Sequence, residues 1–517
     1  SGLSNTAVGK NSLVLNTTGA ENVTVGSFSL DANTTGSSNT ACGNSALGAN
    51  TTASNNTAVG KDALTANTTG TANVAVGKDA LKSSVTHSNC TALGAFALED
   101  STAAGNTAVG EVAANKTTTG TENTALGFKS FYDNTTGAYN TALGTYALED
   151  NTTANYNVAV GYKASQLNTT GTTNTSVGSF AFQYNTTGSS NTSVGYSALD
   201  ANTTADGNTA VGAYALTANT TGGISVAVGR YALATQTTGG SNVAVGDQSM
   251  RYNTTGNTNT AVGQGSLYSN TTAHNNVSVG FNCMISNTTG TENVAVGRQA
   301  LYTNTTTNYN TAIGDKALYN NAASNNTAVG HDALTANTTG TSNTAVGQNS
   351  LDANTTGSNL TAMGHNALGA NTTASNNTAF GYQSLATNET GGNNVAVGYQ
   401  ALDANNASYN VAMGVNALGA NTTGARNTAI GNEAMASSTT GNSNTAVGDR
   451  ALDANTTGAQ NTAIGSQALS ANTTGGYNVA LGDASMVSAT NSSYNVAIGY
   501  RALQSTTTGS QNTAIGY

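Results

Sequence analysis

The sequence predicts an all-β protein, a parallel β-solenoid of about 30 coils of seventeen residues with two short strands in each coil. Three observations carry that expectation. The stretch Asn56–Ala72, NTAVGKDALTANTTGTA, recurs from Asn5 to Asn512 as 31 motif starts. The spacing is nearly constant, with 27 intervals of seventeen residues and three of sixteen, beginning at Cys90, Asn310 and Asn394. Apolar residues return to the same place in every copy, so each repeat supplies one coil that must stack on its neighbours to bury them.

Positions are counted from the first residue of a repeat, so that Asn56 is position one. Position one is Asn except at Cys90, Ser225 and Leu360. Stacked Asn side chains, such as Asn56 and Asn73, are expected to form an amide ladder, interrupted at Ser225 and Leu360. Positions two to four alternate Thr or Val, a small residue and an aliphatic, the period-two pattern of a strand. Val59 and Val76 are then vertical neighbours. Position five is Gly in all 31 copies, including Gly60 and Gly77, which suits positive φ or a close backbone approach.

Positions eight to eleven, as in Ala63-Leu64-Thr65-Ala66, read as a second strand with Leu64 and Leu81 inward. Positions twelve to fifteen, usually Asn-Thr-Thr-Gly, form the return turn. The short repeats lose their residue in this turn, where a loss leaves strand register intact. Ala replaces Gly at position fifteen in Ala53, Ala154, Ala205, Ala273 and Ala374, so this turn is not expected to need positive φ. With positions two, four and nine inward, the small residues at three and eight face outward. Close packing of other chains on those faces, as a homotrimer or another bundle, is then expected. The competing reading is a coil so flat that the small residues pack inside it.

Composition narrows the function classes. Charged residues make up 7% of the 517, Pro and Trp are absent, and the net charge of −10 is thinly spread. Regular aliphatic positions argue against disorder. No basic stripe suggests nucleic-acid binding, and no apolar run approaches the ~18–20 residues that span a bilayer. His87, His274, His331 and His365 lie in separate coils without ligand spacing, and no nucleophile elbow, P-loop or calcium repeat is present. No enzyme activity, cofactor or metal is expected. Cys42, Cys90 and Cys283 sit in different coils and are read as small buried substitutes for Val, Asn and Ala.

Asn-Thr-Thr fills positions twelve to fourteen in 20 of 30 complete repeats, making Asn67, Asn134, Asn219 and Asn337 candidate N-glycosylation sites. The competing reading is a turn whose side chains bond nearby backbone. The Thr rows also raise ice binding through regularly spaced hydroxyls. Tyrosines recur in adjacent coils at Tyr139 and Tyr156, Tyr214 and Tyr231, Tyr382 and Tyr399, and Tyr302 and Tyr319. The first three pairs are candidate carbohydrate contacts, and ring stacking that only stabilises turns is the alternative. The motif is in phase at both Asn5 and Asn512, so residues 1–517 are expected to form one continuous array without caps. Such an array is an excerpt of a longer chain or a subunit that polymerises end to end.

The motif Asn-Thr-Ala-Val-Gly-x-x-Ala-Leu, from Asn5 to Ile515, resembles the head repeats of trimeric autotransporter adhesins. It is closer still to the NTAxG-type repeats of phage tail-fibre and bacterial surface-fibre proteins. The resemblance implies a left-handed parallel β-roll, commonly trimeric, located outside the cell, on its surface or on a virion, and working in attachment. The coil is longer than in the adhesin heads, and no coiled-coil stalk or membrane anchor accompanies it. The expected function is therefore a non-enzymatic fibre or adhesin shaft, with a structural filament subunit as the alternative.

Overall fold

The computed structural model describes residues 2–517 and is all-β, a solenoid built from 31 three-residue strands, β1 (Thr6–Val8) to β31 (Thr513–Ile515). Two compact units are distinguished, Ser1–Thr258 with β1 to β15 (Val243–Val245), and Asn259–Tyr517 with β16 (Thr260–Val262) to β31. Within each unit every coil contributes one strand to a parallel ladder offset by one repeat. Thus β4 (Thr57–Val59) lies beside β5 (Val74–Val76) with Val59 opposite Val76. The short coils keep this register, Thr91 facing Thr107 and Val395 facing Val411, so the missing residue is absorbed outside the strand.

The expected second strand is absent from this arrangement. Positions seven and nine, Asp62 and Leu64, have φ of 60° and 51°, and their counterparts in the other coils lie between 46° and 64°. A left-handed residue at every second place breaks the pleat, so Ala63–Ala66 belongs to a ribbon of turns. Its N–H groups still bond between coils, but in opposite senses: Asp79 donates back to the Lys61 carbonyl at 2.9 Å, and Leu64 donates forward to the Ala80 carbonyl at 3.0 Å. Each such φ costs about 1 kcal/mol or more in a residue with a Cβ. Inter-coil bonding and the complete burial of Leu64 and Leu81 offset that cost.

The strand is also turned the other way round from the expectation. Ala58 and Ala75 at position three are fully buried, as are Ala63 and Ala80 at position eight, whereas Thr57 and Val59 are half-exposed. The interior is a thin layer in which the Leu64 row fills the space opposite the strand. Only a small strand residue leaves room for that row, so the smallness of positions three and eight reflects packing inside the coil. It is no sign of neighbouring chains. The same inversion exposes Cys42 at position four, while Cys90 and Cys283 are buried and all three thiols are free.

Two buried Asn rows hold the return turn to the strand. Asn73 N–H donates to Asn56 Oδ1 at 2.9 Å, continuing the expected ladder, and Asn56 Nδ2 donates to the Gly70 carbonyl at 2.9 Å. Asn67 at position twelve forms a second row, its Nδ2 bonding Asn50 Oδ1 and the same Gly70 carbonyl, both at 3.0 Å. Two amides converge on this carbonyl, and position fifteen is Gly, Ala, Ser or Thr except at His87, whose coil has Ser84 in place of the second amide and a single bond from Asn73 Nδ2 at 2.9 Å. The first row skips a rung at Leu360, which takes a bond from its backbone N–H to Asn343 Oδ1 at 3.0 Å but has no side-chain acceptor to pass on. Ser225 is compensated within its own coil: the longer Gln236 replaces Asn at position twelve and reaches Ser225 Oγ at 3.2 Å and Asn219 Oδ1 at 3.4 Å. Shorter hydroxyls at position twelve fail to reach, and those of Ser84, Thr117 and Ser438 are buried without a partner.

Candidate functional site

The outward side of the strand ladder is a surface that every coil of each unit contributes to. Position two is Thr or Val in all 31 strands, and position four is Val, Leu, Ile, Met, Cys or Phe, so this face carries no charge. Leu93, Leu126 and Val228 in the first unit, and Ile313, Met363, Met413 and Leu481 in the second, are exposed on it. An aliphatic row repeated in every coil is much more continuous than the scattered apolar residues of an ordinary surface. Charges lie elsewhere, and some are paired between adjacent coils, as in Arg230 with Asp247 at 3.0 Å and Arg298 with Asp315 at 2.7 Å. Such exposed pairs contribute little stability.

The candidate glycosylation residues Asn67, Asn134, Asn219 and Asn337 are fully buried in the second amide row. The folded coil leaves no room for a sugar on them. The position-thirteen hydroxyls are engaged as well: Thr68 Oγ1 donates to the Val85 carbonyl at 3.0 Å and Thr135 Oγ1 to the Thr152 carbonyl at 3.0 Å. That Thr row therefore does not offer water a set of free hydroxyls.

The tyrosine pairs do meet. Tyr139 and Tyr156 stack with centroids 5.2 Å apart and planes within 3°, Tyr214 and Tyr231 at 5.0 Å and 2°, and Tyr382 and Tyr399 at 5.3 Å and 7°. Tyr302 with Tyr319, and Tyr477 with Tyr494, do the same at 4.9 and 4.8 Å. Stacking hides the two facing sides of a pair, while Tyr139 and Tyr156 remain 53% and 59% exposed.

A different aromatic group was not legible as one from the pairs. Phe128, Tyr146, Tyr162, Phe180, Tyr196, Tyr214 and Tyr231 form an unbroken line, one ring per coil, with neighbouring centroids 5.0–6.1 Å apart. The signal was present as aromatics at position six or seven in seven consecutive coils. It was hidden because the two positions alternate.

Position ten places a carboxyl where it is partly enclosed. Burial pushes Asp200 up to about 6 from an ordinary 3.8, and its Oδ1 has no hydrogen-bond partner. Burial raises Asp352, Asp403 and Asp453 in the same direction. Because the folded pKa lies above the unfolded one, the folded state pays nothing below about pH 4, and a penalty accumulates from there up to about pH 6 and stays constant above it. Asp200→Asn is expected to raise the thermal midpoint at pH 7 and to leave it unchanged at pH 4; an equal change at both values would refute this assignment.

Among the described residues no group of three or more His, Cys, Asp or Glu comes together to hold a metal, and no helix is long and apolar enough to cross a membrane. Compared with protein-family models and with curated proteins, the chain matches none.

Proposed function

We propose that the chain is a non-enzymatic fibre protein, working outside the cell or on a virion, in which the strand faces of several copies pack together and the remaining surface serves attachment. The observation that carries this reading is the charge-free strand face, on which position four supplies an apolar row in every strand of both units beside a Thr or Val row at position two. An antiparallel or parallel sheet face left to solvent ordinarily carries polar side chains, whereas a continuous apolar one marks an interface. A homotrimer satisfies it by turning three such faces toward a common axis. The row varies in size through Val346, Met363 and Phe380, which suits packing against side chains that adjust and not a fixed lattice such as ice.

Light scattering on the purified chain tests the reading. The expected mass is a small multiple of 51.1 kDa, three being the number for a trimer. Placing Lys at Val177, Val194 and Val211, all on this face and only half-buried in the single chain, is expected to reduce the particle to one chain with an unchanged circular dichroism spectrum. A wild-type chain that stays monomeric at micromolar concentration would end the proposal.

A further inference from the structure

We infer that the aromatic line from Phe128 to Tyr231 is a binding ridge for an extended, uncharged β-1,4-linked polysaccharide; this deepens the attachment role proposed above and names its ligand class. The seven rings differ from the stacked pairs in their tilt. Successive planes from Phe128 to Tyr214 meet at 86°, 75°, 88°, 81° and 70°. Tyr214 and Tyr231, both at position seven, lie parallel and face each other between coils. Rings at position six are turned roughly perpendicular to those at position seven, so their faces are not covered by the coils on either side. They are also the more exposed, with Phe128 at 37%, Tyr162 at 42% and Tyr196 at 47%.

These three open rings recur every second coil, which places them about 9.6 Å apart at two strand spacings. An extended β-1,4-linked chain advances by about one strand spacing per pyranose and turns over at each link, presenting the same sugar face at every second residue. One open ring per two coils therefore meets one equivalent sugar face per two residues, and the apolar C–H face of a pyranose stacks on an aromatic ring. Most charge along the ridge is engaged locally: Lys129 lies 3.7 Å from Glu149 and Arg230 3.0 Å from Asp247, and Lys163, from the same coil as Tyr162, lies over one face of that ring at 5.6 Å and over Tyr146 at 6.0 Å, so that Tyr162 offers a ligand its other face. A ligand that carries charge gains little from such a ridge, and a neutral one meets Tyr hydroxyls and ring faces. The ridge occupies positions six and seven, apart from the strand face at positions two and four, so a ligand reaches it whether or not the chains are bundled.

The test is co-sedimentation of the full chain with insoluble cellulose and chitin, alongside affinity electrophoresis in soluble β-glucan and a proline-rich peptide as competitor. Wild type is expected to bind at least one of the glycans. Tyr162→Ala/Tyr196→Ala is expected to bind at least tenfold more weakly, and Tyr382→Ala/Tyr399→Ala, which alters a stacked pair, is expected to bind as wild type does. Failure of wild type to bind any of the glycans, equal loss in both double variants, or displacement of the glycan by the peptide would each overturn the inference. Light scattering on the same samples reports the assembly state, so a monomer that binds glycan refutes the strand-face reading alone, and a bundled chain that does not bind refutes the ridge alone.

Discussion

Gly195→Ala is expected to destabilise the coils around it by about 4 kcal/mol, combining ~1–3 kcal/mol for the dihedral with a similar amount for lost inter-coil hydrogen bonds. Gly195 has φ of 136°, a region closed to residues with a Cβ. A Cβ there would also lie 2.6 Å from the carbonyl oxygen of Gly212 and 2.7 Å from its carbon. Those atoms belong to the backbone of the next coil, which is held close by the Gly212 N–H bonding the Val194 carbonyl at 2.7 Å. Relief requires opening that interface. Because each coil touches only its neighbours, the damage stays local, and hydrogen exchange should lose protection in the strands Thr192–Val194 and Thr209–Val211 while distant coils keep theirs.

Gly188→Ala is the control, with an expected cost of about 1 kcal/mol or less. A Cβ built at Gly188 also falls close to its surroundings, 2.4 Å from the Ala205 oxygen and 2.5 Å from Asn185 Oδ1. Yet Gly188 is outside the left-handed region, and the chain itself places Ala at the same position in Ala154 and Ala205. The neighbours there can give way, whereas at position five none of the 31 copies tolerates a side chain. Equal losses for the two variants would show that crowding, and not the dihedral, governs both positions.

Phe131→Ala is expected to cost about 4 kcal/mol, at the upper part of the range for emptying a core site. The reason lies one coil earlier. Position nine is Leu, Met or Phe in every complete repeat except at Ala114 and Ser165, and the two Phe, Phe131 and Phe182, follow them directly. All four are buried. Each ring therefore fills the volume that a small residue leaves in the coil below, and Ser165 further satisfies its hydroxyl against Ser176 Oγ at 2.8 Å. Removing Phe131 leaves two adjacent small residues and a void that neither coil can close.

The coupling gives a sharper test than either single change. Ala114→Leu alone is expected to overpack against Phe131 and cost about 1–3 kcal/mol. Ala114→Leu combined with Phe131→Leu restores the common pattern and is expected to return within about 1 kcal/mol of wild type, a non-additivity expected of residues in contact. Denaturation midpoints of the single and double variants measure it. Additive losses would mean that the two positions do not share a volume.

The stacking of like residues was legible in the residues alone. A strict seventeen-residue period with one Gly and one Leu in each copy leaves a solenoid as the way to bury them, and the Val59 to Val76 register follows from the period. The first Asn row was legible for the same reason, since one amide per coil at a fixed place must meet its own kind. The second Asn row was not, because Asn-Thr-Thr has the same letters whether its amide faces a sugar or the interior. The tyrosine pairs were visible as pairs. The seven-ring ridge is a product of the tertiary structure, since positions six and seven are neighbours in the chain and only the coil geometry interleaves their rings.

What the sequence by itself determined is the number of coils, their register and the rows that run through them, all consequences of the period. Tertiary structure alone decided which side of the strand is the inside and how the other half of the coil is built. A three-residue strand reading Thr-Ala-Val alternates equally well in either sense, and its direction depends on the volume of the Leu row it faces across a thin interior. The left-handed turns at positions seven and nine have only a faint mark in the Asn and Asp at seven in eight of the 30 complete repeats, residues which tolerate that conformation. Leu at nine carries no such mark, because the inter-coil hydrogen bonds and the burial that hold it there exist only once the neighbouring coils are in place.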